Sequence, residues 1–190
     1  AYDTAQTLAH LGTSVLIDAG GDIVTVGNDS ATLTKPWQIA LPSANDVTLS
    51  MDEGVFINKQ TMNQLLINWQ LVSQDTLIYL PTARTHILAT SGIDYRYWYH
   101  GQFLQHHLVN PLRQDTKNMA SDVVCASILI DEMLFHQNQD TFHPSIARFL
   151  QTSNVCNLAQ TLSKLFCLLG LEKSLQWLNQ HGLQALGVSV

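Results

Sequence analysis

The sequence predicts an α+β fold, and three observations carry the prediction. Strand-like and helix-like stretches are mixed without the regular alternation that a parallel βαβ sheet requires. An early strand, glycine turn and strand occupy residues 14–27. Two amphipathic helical stretches stand near the end, over residues 158–179.

Residues 3–11 (DTAQTLAHL) put Ala5, Leu8 and Leu11 on one helical face, with Gly12 as the stop. Ser14 to Asp18 (SVLID) reads as a buried strand that runs through Ala19-Gly20-Gly21-Asp22 into a second strand, IVTVG. Trp37 to Leu41 (WQIAL) alternates as a strand and is closed by Pro42, and Val47 to Met51 alternates again. Between residues 52 and 85, QTMNQLLINWQLV fits either a helix or a strand, whereas TLIYL before Pro81 is strand-like.

His86 to Thr90 and Phe103 to Val109 read as strands around a turn near Gly101, and Asp122 to Ile130 (DVVCASILI) is the strongest strand pattern in the chain. Residues 131–154, rich in His, Gln and Asn and holding Pro144, read as an inserted loop with a short helix. Leu158 to Leu169 has helical spacing and Gly170 ends it. Glu172 to Asn179 forms a further helix, and Leu183 to Val190 a closing strand.

A length of 190 residues suits one domain with a proper core. With 46% hydrophobic and 13% charged residues, the chain has the composition of a soluble globular protein and not of a disordered one. A net charge of -6 and no clustering of Lys and Arg argue against a nucleic-acid partner. A nucleotide ligand stays open, since backbone N–H groups and one or two side chains can hold phosphates. Cys125, Cys156 and Cys167 have neither an even number nor metal-ligand spacing, so they read as buried thiols. No apolar run is long enough to span a membrane, and no signal-peptide pattern opens the chain.

Candidate chemistry lies in three places. At Gly20, Gly21 and Asp22, two glycines between strands let a ligand approach the backbone, although an ordinary hairpin turn has the same composition. At Thr90, Ser91 and Gly92, hydroxyls end a strand ahead of Arg96 and the aromatic run Tyr95, Tyr97, Trp98 and Tyr99, a combination able to hold phosphate and stack a ring, or to form a plain turn beside an aromatic patch. The adjacent His106 and His107 fall on opposite faces of a strand, so at most one points into any site and a metal pair is disfavoured.

Taken together and in this order, the segments resemble the FAD:protein FMN transferases, the ApbE family. The opening AYD resembles the end of the family's K-G-x-A-x-D segment, and SVLIDAGGDI its G-G-D turn. PWQIAL resembles its Trp-containing strand, ATSGIDYRYW its A-T-S-G segment, and HHLVNP its H-H-I-I-D-P. SDVVCASILI resembles the strand that follows, and AQTLSKLFCLLGLEKSLQWL the helix near the family's C-terminus.

The resemblance implies a single ApbE-like domain over residues 1–190, with a mainly antiparallel sheet flanked by helices. It also implies insertions at about 52–85 and 131–154, and a missing N-terminal part of the family pattern. It further implies a bacterial flavin transferase that attaches FMN, taken from FAD, to a threonine or serine of an acceptor protein. Relatives often work at the cell envelope.

In this reading Gly20, Gly21 and Asp22 approach the nucleotide and Thr90, Ser91 and Gly92 hold its phosphates or ribityl chain. Arg96 supports the phosphates, and His107 sits nearest the reacting pyrophosphate. The family's Mg2+ is doubtful here, because Gln160 falls where the family has a metal-binding aspartate and Lys164 where many members have threonine. The alternative implied by these departures is a catalytically degraded flavin-binding or scaffold protein of the same fold.

Overall fold

The computed structural model describes residues 1–11, 14–27, 35–41, 68–72, 75–93, 97–101, 103–109, 123–183 and 186–189. The chain opens with helix α1 (Tyr2–Ala9), which leads into strands β1 (Val15–Ala19) and β2 (Asp22–Val26). They pair antiparallel with Ala19 opposite Asp22, leaving Gly20 and Gly21 as a two-residue loop. Both loop glycines have positive φ, +71° and +97°, the backbone that a tight hairpin matching the strand twist demands. The Asp18 carboxylate accepts from the Gly21 N–H at 3.1 Å and fixes the turn.

β2 pairs with β6 (His86–Gly92), β6 with β9 (Cys125–Asp131), and β9 with β10 (Gly187–Ser189), all antiparallel. A five-stranded sheet of order β1-β2-β6-β9-β10 results. A second sheet has β5 (Asp75–Leu80) between β3 (Trp37–Leu41) and β4 (Asn68–Val72), again antiparallel. The ambiguous stretch before residue 72 thus ends as strand. β7 (Tyr97–His100) and β8 (Phe103–His106) form a separate hairpin turned at Gly101.

The layers follow from the sequence of β6 and β9. Alternate residues point to opposite sides of a sheet. Ile87, Ala89, Ile128 and Ile130 pack on one side against Leu158, Ala159, Leu162 and Phe166 of α4 (Val155–Leu169). Leu88 and Leu129 pack on the other side against Ile39, Leu41, Ile78 and Leu80 of the three-stranded sheet. Both strands are covered on two faces, and this is why ILA is an unbroken apolar run and ASILI is interrupted by Ser127 alone. Ile128 and Ile130 are fully buried, each worth about 1.5–3 kcal/mol of hydrophobic stabilisation. A smaller cluster docks α1 on the sheet edge through Ala5, Val24 and Val26.

The expected loop with a short helix after residue 131 is more helical than that. It contains α2 (Glu132–Gln137), a 3-10 turn (Gln139–Thr141) and α3 (Pro144–Thr152). Local chemistry explains both helices: the Asp131 carboxylate caps α2 by accepting from Leu134 N–H, and Pro144 opens α3 behind His143, whose ring accepts from Ser145 N–H. The strand expected over residues 103–109 ends earlier, at His106, and among the described residues the closing strand spans Gly187–Ser189. Gly170, with φ +84°, separates α4 from α5 (Leu171–Gln180) as expected. The strand expected over residues 47–51 lies outside the described residues.

Candidate active site

The sheet brings Asp22 toward α4. Asp22 lies opposite Ala89 on β6, so its side chain shares the face that α4 covers. There the Gln160 amide of α4 donates to the Asp22 carboxylate. The two line a cavity of about 180 Å³ together with Tyr2, Asp3, Asn154 and Cys156. An ideal Cβ built on Gly20 or Gly21 meets nothing within 4 Å, so the turn beside this cavity is open to close approach by a ligand. Burial pushes the Cys156 thiol up to about 11, and the carboxylates of Asp22 and Glu132 push the same way.

Thr90 and Ser91 face opposite sides of β6 and do not act as one cradle. Thr90 Oγ1 shares a hydrogen bond with Ser127 Oγ at 2.8 Å across to β9, while Ser91 Oγ meets Ser163 Oγ of α4 at 2.8 Å. The Cys167 thiol donates to the Ser91 carbonyl at 3.3 Å. Gly92 ends β6 opposite Cys125. Neither Thr90, Ser91 nor Gly92 lines the Asp22 cavity. Arg96 lies outside the described residues.

The two histidines part company at the end of β8: His106, its last residue, is buried, and His107, just beyond the strand, is exposed, so they do not lie on opposite faces of one strand as expected. Burial, and then the neighbouring His107, lower the basicity of the His106 ring. His107 is not a lining residue of the Asp22 cavity. Lys164 is exposed and does not line that cavity either.

A second polar cluster escaped sequence reading. Arg84 Nη1 donates to Asp131 Oδ2 at 2.8 Å, and His86 Nε2 lies 3.6 Å from the same oxygen. His86 Nδ1 lies 3.3 Å from Thr25 Oγ1, which also accepts from the His86 backbone N–H at 3.1 Å. Burial lowers the His86 imidazole to about 4, with the Asp131 carboxylate pulling the other way and Arg84 assisting the depression. Arg84 is partly exposed, whereas Thr25, His86 and Asp131 are buried, so this part of the cluster ties strands together. Its one signal in the sequence is Asp131 placed directly before a helix.

The family model for the ApbE family matches residues 3–134, well over half of the chain. The chain belongs to the ApbE family. Membership carries a flavin-transferase type of function, with a flavin nucleotide and an acceptor protein as the partner classes. The matched residues take in α1, the Gly20–Gly21 turn, β6 and β9, and stop before α4, so Gln160 stands outside them. No curated protein and no solved structure matches the chain. Among the described residues, no helix is long and apolar enough to cross a membrane.

Proposed function

We propose that this ApbE-family chain binds FAD with its phosphates against the Gly20–Gly21 turn and the Asp22 cavity, and that its transfer of FMN to a protein threonine or serine is slow and nearly independent of magnesium. The hydrogen bond from Gln160 to Asp22 carries this reading. Magnesium selects hard oxygen ligands, preferably anionic, in octahedral array. Here an amide N–H is directed at the Asp22 carboxylate of the cavity, and the described residues include no group of three or more His, Cys, Asp or Glu able to hold a metal. The residues present do not fit the metal, and no step runs through it.

The fit to the nucleotide is better. The glycine turn is sterically open, and a cavity of about 180 Å³ accommodates a phosphate-bearing part of a dinucleotide, not the whole of one. In the transfer, the acceptor hydroxyl oxygen forms a bond to the FMN phosphorus as the bond to AMP breaks; AMP leaves and the hydroxyl proton passes to solvent. Stabilising the negative charge on the phosphoryl oxygens and the departing AMP oxygen needs fixed cations or donors. No lysine or arginine is among the described lining residues, and Asp22 adds a like charge that the Gln160 amide only partly offsets.

Two measurements test the proposal on the unmodified protein. FAD titration should quench flavin fluorescence and raise the melting temperature; the absence of both overturns the binding. Incubation with FAD, magnesium and a threonine-bearing acceptor should attach little FMN, and Gln160→Asp should raise magnesium-dependent attachment about tenfold or more. Fast magnesium-dependent transfer by the unmodified chain would show that the Asp22–Gln160 contact does not govern the site.

A further inference from the structure

At the opposite end of β2 from the glycine turn, a cavity of about 700 Å³ opens between α1 and α2. It shares no lining residue with the Asp22 cavity. Its volume is in the range of small-molecule sites. Two opposite charges face it, Arg84 and Glu132, and each is held by a partner other than the other one. Arg84 is clamped to the buried Asp131 at 2.8 Å, and Glu132 accepts from the Tyr2 hydroxyl. Among the described residues no ion pair joins Arg84 to Glu132.

Both charged side chains are largely sheltered, 24% and 18% exposed, so their fields are less screened than those of surface charges. His136 Nε2 also lies 3.9 Å from Glu132 Oε1. A guanidinium has five N–H donors and a carboxylate about four acceptor sites, more than these partners take up. The rest of the lining mixes apolar residues, Ala9 on α1, Val26 at the end of β2 and Met133 on α2, with the polar Gln6, His10, Thr85 and His136.

We propose that this cavity binds a small zwitterion of the free amino-acid or dipeptide class, with the ligand carboxylate on Arg84, its ammonium on Glu132 and its side chain against Val26 and Met133. A fixed cation and a fixed anion over a shared void complement a molecule bearing both charges, whereas a simple anion would meet the repulsion of Glu132 and a simple cation would leave the spare donors of Arg84 unfilled. The site is separate from the flavin reading, and neither depends on the other.

The test is a nuclear magnetic resonance titration of the isotopically labelled chain with L-leucine and glycyl-L-leucine. N-acetyl-L-leucine, which lacks the ammonium, and L-leucinamide, which lacks the carboxylate, serve as controls. The free forms should shift the amides of Gly27, Thr85 and Met133, and each capped form should bind about tenfold more weakly or worse for want of one charge-assisted bond. Glu132→Gln retains an acceptor for Tyr2 and removes the negative charge, so it should weaken the free dipeptide about tenfold and not weaken N-acetyl-L-leucine, which is relieved of a repulsion. If that variant does not fold, the comparison of free and capped ligands on the unmodified chain still decides. No shifts at these amides, or equal binding of free and capped forms, overturns the proposal.

Discussion

The buried histidine of β6 makes the fold sensitive to acid, by an amount that the structure allows to be worked out. In the unfolded chain an imidazole titrates near 6.5, whereas His86 in the fold is depressed to about 4. Between these values the unfolded state binds more protons than the native state, so stability rises with pH across the window. Equivalently, the contribution is complete above about 6.5 and is lost as pH falls toward 4. The gap amounts to about 2 kcal/mol of stability lost between pH 8 and pH 5. Urea unfolding at the two pH values, on the unmodified chain and on His86→Gln, measures it. The variant should be less stable at pH 8, because the Thr25 contact is altered, but should lose about 2 kcal/mol less on acidification. Equal losses in the two proteins would show that His86 is not the group that titrates.

Gly27→Ala should destabilise the chain by about 1–3 kcal/mol or prevent folding, because the new Cβ would stand 2.3 Å from the Ala83 carbonyl carbon; thermal unfolding reads this, and an unchanged melting temperature refutes the close approach. Cys156, half-buried with its thiol pushed up to about 11, should react with iodoacetamide at pH 8 far more slowly than free cysteine, since only the thiolate attacks, and mass spectrometry of the digested chain would expose a fast reaction as a contradiction.

Much of the fold was legible because its signals are local. The alternation in WQIAL, the glycine pair after SVLID and the spacing of Leu158, Leu162 and Phe166 each announce an element within a few residues, and the structure has β3, the β1–β2 hairpin and α4 in those places. The helices after Asp131 were harder to see, since α2 has six residues and its start depends on one aspartate cap rather than on a long periodic face. The site was less legible still. Thr90 and Ser91 are neighbours in the chain but face opposite sides of β6, bonding to Ser127 and Ser163, which no spacing rule selects. The meeting of Asp22 with Gln160 joins residues far apart in sequence, and only the docking of α4 on the sheet creates it.

Helix α1 is a wall common to two rooms. Through Tyr2 and Asp3 it closes the cavity at Asp22, and through Gln6, Ala9 and His10 it closes the one at Arg84. It is held down by a modest set of contacts, chiefly Ala5 over Val24 and Val26 and the Tyr2 hydroxyl on Glu132. A helix so lightly fastened belongs to the part of a protein that opens first in hydrogen exchange. Any molecule that grips α1 from one side must slow that opening, and the free energy it contributes is then felt on the other side as well, in equal measure and in both directions.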